Sequence, residues 1–518
     1  MKNRTTTDLI ILIIFTLACL LPFINKPFNI DDPFYISMAK QILNDPLRPY
    51  SFSINWSGEL RDVWTHMEAT FPPLIPYFIA AMIKLFGIQE TILHLCFLVF
   101  PLISAASMYF LLKKYVGEPL VYAMIFVAAP AFLVSATSIM LDVPLMAFIL
   151  LSAALFIYGV DGDDKRLILS GSVVAGLAVL VKYSAVIAVI VLGMYVAFSG
   201  KRKYILYLLV PAGIFGLWCL HNQLVYGKMH FFEASSHVGK GISLHKLIAA
   251  PAFFAGSLIF PVFLFFKQDL REKLIFIITP MVFYVLVDKF IKGPNAAVIL
   301  TLMIAASALY FYTVIKYRKQ TNQFVFTWFA VAVFLVLTVE PWVSGRYILF
   351  ILPPALILFA AMIEGIAGTI KKYIPVAALL TTLFFGLSLS ISDYLWAKTY
   401  VRIPEYFNSR GVNNGFFLGH FGFQYYMERS GFLPLEVNGA VKGPVFILAA
   451  KMPDPQKPAK KIFSRMKLKE HHMVPSTFPF RIMAPVDHAG FYSSFWGILP
   501  FTISREPLEE FAVFTLDR

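Results

Sequence analysis

The sequence predicts a polytopic α-helical membrane protein of about 13 transmembrane helices, with interfacial helices in its first outer loop and a small C-terminal α/β extracytoplasmic domain. Three observations predict it. The 518 residues are 58% hydrophobic and only 14% charged, with a mean hydropathy of +0.72, whereas soluble domains are about 45–50% apolar and about a quarter charged. Apolar runs long enough to span a bilayer recur along residues 1–392. Lys and Arg gather in short clusters between those runs, as expected where charge sets orientation in a membrane. The net charge of +14 therefore points to a lipid bilayer and not to nucleic acid.

The N-terminus, "MKNRTTTDLIILIIFTLACLLPFINK", has basic residues before an apolar core but no small-x-small cleavage site after it. It reads as an uncleaved first span entering from the cytoplasm. Spans are expected near 8–24, 92–112, 119–136, 143–160, 167–181, 185–199, 204–220, 248–266, 274–288, 295–315, 323–339, 347–363 and 374–392. With the N-terminus inside, the cytoplasmic loops carry Lys113–Lys114, Lys165–Arg166, Lys201–Arg202–Lys203, Lys267 with Arg271, Lys316 with Arg318 and Lys319, and Lys371–Lys372. Every one is basic. Residues 25–91 then form the first outer loop, and the tail, 393–518, lies outside. In that tail, "GVNNGFFLGHFGFQYYMERSGFLPLEV" reads as strand, helix, strand with Gly431 as the helix stop. "GPVFILAAK" reads as a further strand, and "MPDPQKPAKK" as a Pro/Lys-rich loop. Cys19, Cys96 and Cys219 lie in apolar stretches without disulfide or zinc spacing.

Candidate chemistry gathers at the outer ends of the spans. In "FNIDDPFYISMAK", Asp32 precedes Pro33, a combination suited to starting a helix. Phe34, Tyr35, Met38, Ala39, Ile42 and Leu43 then recur at helical spacing in a short interfacial helix that Asn44-Asp45-Pro46 ends. Capping accounts for Asp32 but leaves Asp31 unexplained. Two adjacent carboxylates at a membrane surface suit acid/base work or a divalent cation. A second amphipathic run follows Pro72-Pro73, and His66 and Glu68 lie in the polar, aromatic segment before it. Asp142, in "SIMLDVPLMAF", either caps the next helix or joins Asp31 in a carboxylate site. Lys182 and Arg346 stand alone at outer span mouths. They are either snorkelling anchors or contacts for a phosphate at headgroup depth.

Asp31-Asp32-Pro33-Phe34-Tyr35 resembles the acidic motif that follows the first span in the protein O-mannosyltransferase and aminoarabinose transferase families, polytopic glycosyltransferases of the GT-C type. "FPPLIPYFIA", "MLDVPLMAF", "GLAVLVKYSA" and "GRYILFILPP" are similar to their later motifs in kind and order. "GHFGFQYYMERSG" and "GFYSSFWGILPF" resemble the outer domain of bacterial members. The resemblance implies an inverting transfer of a monosaccharide from a polyprenyl-phosphate carrier to an acceptor glycan, lipid or protein, in a bacterial inner membrane. It makes Asp31 the acid that activates the acceptor and Asp32 the second acid. Relatives often carry Lys or His directly before Pro-Pro-Leu. Here Phe71 stands there, with His66 and Glu68 the nearest polar candidates.

The chemistry alone asks for a base, cations for a phosphate leaving group and a site that excludes water. No glycine-rich nucleotide loop is visible, in keeping with a lipid-linked donor. A flippase or transporter for lipid-linked sugars would instead place charges mid-span and show internal repeats. A glycan polymerase or ligase would share the outer-face geometry. Asp31 is the expected base, Asp32 the expected cap, Asp142 a further acid, Lys182 and Arg346 the phosphate contacts, and Tyr35, His66 and Glu68 the acceptor-side candidates.

Overall fold

A computed structural model describes residues 2–56, 58–236, 241–291, 293–411, 415–436, 446–452 and 460–516. Every apolar segment expected to span carries a helix, yet length and apolarity divide them. Among the described residues six helices are long and apolar enough to cross a membrane, or eight if two bent pairs each make one crossing. Gln323–Thr338 and Leu352–Glu364 belong to the shorter apolar helices of 10–17 residues, below the ~20 residues that a hydrocarbon core requires. Leu270–Phe290 has the length but carries Arg271, Glu272 and Lys273 at one end and Asp288 and Lys289 at the other. The two bent pairs have chemical causes. Pro130 opens Pro130–Ala136 and cannot continue Pro119–Ala128, and the two meet at 60°. Ile259, at φ +64°, and Pro261 separate Leu244–Leu258 from Phe260–Lys267, which turn by 88°.

The first loop contains the two expected helices, Asp32–Asn44 and Leu74–Phe86. A short hairpin of Ser53–Asn55 and Leu60–Asp62 lies between them. At the other end of the chain, the helix Tyr373–Asn408 runs unbroken for 36 residues, so the domain boundary expected between 392 and 393 falls inside it. Gly386 lets this helix approach the bent pair closely: a Cβ there would come within 2.1 Å of the Ala128 carbonyl oxygen.

Beyond that helix the chain is β-rich. The strands Leu433–Pro434, Phe416–Leu418, Phe446–Ala450, Glu509–Leu516 and Met466–Val474 form a five-stranded sheet in that spatial order. The first three are parallel, and Glu509–Leu516 pairs antiparallel with both of its neighbours. The expected strand–helix–strand is present, its helix being Phe421–Arg429 and Gly431 taking φ +88° after it. Residues 443–445 of the next expected strand, and 453–459 of the expected Pro/Lys-rich loop, lie outside the described residues. Phe423 and Phe511 pack with Tyr400 of the long helix, and Phe417 packs on Phe423, which fixes the sheet to the helix.

Glu509 is fully buried in this unit. It accepts hydrogen bonds from the Tyr400 hydroxyl (2.7 Å) and from the N–H groups of Met452 (2.8 Å) and Glu510 (3.0 Å). Burial pushes its carboxyl up to about 7, against the pull of those bonds. The folded state therefore holds a proton that the unfolded chain releases at lower pH. Its contribution to stability is complete below the unfolded value of 4.5 and is lost as pH rises towards about 7. Glu509→Gln, which has no proton to lose, flattens this decline. Thermal unfolding of the detergent-solubilised protein between about pH 5 and 7 measures it; identical slopes in the two proteins would rule Glu509 out as the source.

Candidate active site

The site is assembled where the first loop, the turn before Asp142, the break after Val179, the segment before Tyr347 and the β-rich unit meet. They enclose a cavity of about 640 Å³ lined by Asp31, Tyr35, Glu68, Phe71, Asp142, Lys182 and Arg346 among others. Ile30 enters it with φ +50°, a strained conformation for a β-branched residue. Asp31 follows at the cap position of its helix but makes no cap hydrogen bond. Its Oδ2 accepts from Arg346 Nη1 at 3.0 Å. The same Nη1 lies 3.4 Å from Asp142 Oδ2. Asp142 Oδ1 lies 3.7 Å from Lys182 Nζ, which is also 3.8 Å from Glu340 Oε2. Asp142 thus bridges the two cations. The Tyr347 ring lies beneath both, 4.4 Å from Lys182 Nζ and 5.7 Å from the Arg346 guanidinium carbon. The Asp31 side chain is 29% exposed, whereas those of Asp142 and Arg346 are 7% and 8% exposed, so Asp31 is the acid that an incoming molecule meets. Arg346 Nε is buried with no partner among the described residues.

Asp32 differs from its expected role. It is the first residue of the helix and makes no cap bond to it. Its carboxylate points back, accepting from the N–H groups of Asn29 and Ile139, each at 3.1 Å. Asp32 instead joins the first loop to the turn that carries Asp142. It is fully buried, and burial pushes its carboxyl up to about 7 while Lys26 acts in the opposite direction. The two adjacent acids therefore hold different partners, a guanidinium and two backbone amides. Among the described residues no group of three or more His, Cys, Asp or Glu is arranged as metal ligands.

Of the other expected residues, Tyr35 is buried beside Phe71, ring centroids 5.2 Å apart. Glu68 lines the cavity and pairs with Arg61 at 3.6 Å. His66 is exposed, bonded to Thr65 and the Asp62 carbonyl, and does not line the cavity.

The β-rich unit closes the cavity with Tyr492 and Trp496, and the Arg346 guanidinium lies 5.5 Å from the Tyr492 ring. That unit is held by backbone pairing: Gly345 N–H to the Phe491 carbonyl and Ser494 N–H to the Val343 carbonyl, both at 2.8 Å. Gly345 is required there, because a Cβ would come within 2.3 Å of the Phe491 ring. Behind the site, Lys26 and Asp393 form an ion pair whose side chains are both fully buried. Lys26 also donates to Thr137 (3.1 Å) and Ser138 (2.8 Å), and the Tyr492 hydroxyl donates to Asp393 (2.8 Å). Sequence reasoning missed Lys26, Glu340, Asp393 and Tyr492. Glu340 and Asp393 carried the same signal as Asp142, an acid at the edge of an apolar run.

A sequence model of the dolichyl-phosphate-mannose-protein mannosyltransferase family matches residues 70–222, under a third of the chain but including Asp142 and Lys182. No curated protein matches the sequence. Among solved structures, the chain is similar to the S. cerevisiae protein O-mannosyltransferase Pmt1-Pmt2 complex bound to the sugar donor, at 14% identity and TM-score 0.34 over 44% of this chain and 34% of that one. It therefore spans about a third of that relative's length. ArnT from Cupriavidus metallidurans bound to undecaprenyl phosphate is 11% identical, TM-score 0.43, over 99% of this chain and 98% of that one. The arabinosyltransferase EmbB from Mycobacterium smegmatis is 12% identical, TM-score 0.38, over 76% and 41%.

Removing one member of the buried pair leaves the other charge without compensation. Asp393→Leu costs about 3–5 kcal/mol. Lys26→Met/Asp393→Leu together cost less than Asp393→Leu alone, because no charge is left buried. Denaturant unfolding of the solubilised single and double variants checks this, and simple additivity would show that the pair is not coupled.

Proposed function

We propose that the chain is a membrane glycosyltransferase that moves a monosaccharide from a polyprenyl-phosphate carrier to an acceptor hydroxyl or amine on the side of the membrane that bears the β-rich unit, with inversion at the sugar. The observation that carries this reading is the cavity in which Asp142 bridges Arg346 and Lys182 while the more exposed Asp31 rests on Arg346. Two cations meet the phosphate. Arg346 Nε–H, without a partner among the described residues, offers a donor to one of its oxygens. The family match over residues 70–222 supports the same class of donor.

The depth is suitable. Asp393 lies about 31 Å along its helix from Lys372, which puts the neighbouring site at the edge of a hydrocarbon core of about 30 Å. A lipid phosphate resides at that level, and an acceptor reaches it from water. In the reaction the acceptor oxygen or nitrogen forms a bond to the anomeric carbon and the bond from that carbon to the phosphate oxygen breaks. The phosphate keeps the electron pair, and Asp31 takes the acceptor proton. Before donor binding the Asp31 carboxylate is engaged by Arg346. Phosphate entering on Arg346 replaces that carboxylate, so the base is released when there is a sugar to transfer. Asp32 is occupied by the backbone amides of Asn29 and Ile139.

Asp31→Asn should fold and insert normally and lose about 10²–10⁴ in turnover, read as polyprenyl phosphate released from a mixture of polyprenyl-phosphate monosaccharides. Asp32→Asn places an amide N–H against backbone N–H donors. It should lose about 1–3 kcal/mol of stability and affect turnover only through that loss. Near-normal turnover in Asp31→Asn would sink the mechanism.

The orientation has its own test. Under this proposal the positive-inside pattern, with the expected total of about 13 spans, puts Lys203 in the cytoplasm and the β-rich unit outside. Reporters joined after Lys203 and at the C-terminus should read inside and outside respectively; a C-terminal reporter reading inside would move the cavity to the wrong face for this reaction.

A further inference from the structure

A second groove, of about 680 Å³, lies between the helix Tyr373–Asn408 and the end of the strand Met466–Val474. It is on a different side of the helix from the site. Lys398 and Arg402 are five and nine residues beyond Asp393, turned roughly 140° and 180° from it. They are four residues apart and share one face. Leu395, Ile403, Val474 and Leu508 supply an apolar floor, and no acid lines the groove. Arg402 makes no hydrogen bond or ion pair among the described residues, and Lys398 rests over the Tyr394 ring at 5.4 Å. Glu405 and Glu470, on the same helix and strand, do not line it, and Glu470 is held by Tyr406 (3.0 Å) and Arg410 (2.9 Å). His472 stacks on Tyr406 at 4.0 Å, and burial lowers its basicity, so it stays neutral near pH 7.

Depth selects the ligand. Lys398 and Arg402 lie about 39 and 45 Å along the helix from Lys372. The hydrocarbon core is about 30 Å thick, and core plus headgroups about 40–45 Å. With the far edge of the core about 30 Å from Lys372, their backbones stand about 9 and 15 Å beyond it. Side chains on a helix lean toward its N-terminus, so the two long cationic side chains reach back to the headgroup layer on the β-rich side, with Leu395 one turn deeper.

We propose that this groove binds the phosphate headgroup of an anionic phospholipid from the leaflet on the β-rich side. Lys398 and Arg402 hold the phosphate oxygens, and the apolar floor takes the glycerol and the first acyl carbons. The site depends on the chain spanning a bilayer and not on the transferase reading.

The test uses the full chain in detergent, examined by native mass spectrometry after addition of dioleoyl phosphatidylglycerol or dioleoyl phosphatidylcholine. Two cations at a membrane surface are worth about thirtyfold in affinity for an anionic lipid. The wild type should retain one more tightly held phosphatidylglycerol than Lys398→Gln/Arg402→Gln. Lys398→Arg/Arg402→Lys, which keeps both charges, should retain it as the wild type does. Excess inorganic phosphate should not displace it. Equal retention of phosphatidylglycerol in the wild type and the Gln variant, equal retention of phosphatidylcholine and phosphatidylglycerol by the wild type, loss in the charge-conserving variant, or full displacement by inorganic phosphate would each overturn the proposal.

Discussion

The buried ion pair of Lys26 and Asp393 is the constraint on which the rest of the site depends. A charge taken out of water is tolerated only when its partners are placed for it, so this pair dictates where several distant segments must meet. Lys26 follows the first helix, Asp393 lies on the last long one, Thr137 and Ser138 belong to the turn before Asp142, and Tyr492 comes from the β-rich unit. Asp32 adds a second tie to the same turn through Ile139 N–H. The carboxylate of Asp142 and the ring of Tyr492 are thereby both held against Arg346.

Within the cavity, charge is nearly balanced without a ligand. Asp31, Asp142 and Glu340 face Arg346 and Lys182. In the proposed reaction such a network is preorganised: its cations are already aimed by the acids that substrate oxygens would displace, so little reorganisation would remain. The less exposed acid, Asp142, spaces the cations, and the more exposed one, Asp31, is held by Arg346 alone. The aromatic residues around them, Tyr35, Phe71, Tyr347, Tyr492 and Trp496, limit water without adding charge.

Much of this was legible in the sequence, for reasons that differ by residue. Apolar runs of about 20 residues between basic clusters announce helices whatever their tertiary setting, and a lone Asp or Arg at a span mouth announces function because isolation there is costly. Asp31, Asp142, Lys182 and Arg346 were readable on that basis. The role of Asp32 was not. Local sequence favours a cap before Pro33, but Ile139, more than a hundred residues away, supplies the donor that wins. Lys26 looked like one more flanking lysine, since its counter-ion is 367 residues distant. His66 had the right chemistry in the right loop, but the turn at Asp62–His66 directs it to solvent. Helix count suffered from a related limit: composition marks an apolar segment, but bends at Pro130 and Ile259 decide whether it crosses.

The long helix Tyr373–Asn408 also acts as a ruler. It carries the paired lysines Lys371–Lys372 at one end and Asp393 at a fixed distance from them, with no break between. Where the membrane is thinner than that distance, a helix accommodates by tilting or by locally thickening the lipid around it. Tilt displaces Asp393, and with it Tyr492 and the wall of the cavity, relative to the lipid surface. The thickness of the surrounding bilayer is thus set into the geometry of the cavity, and under the proposed function acyl-chain length becomes a variable of turnover even though no acyl chain needs to touch the site.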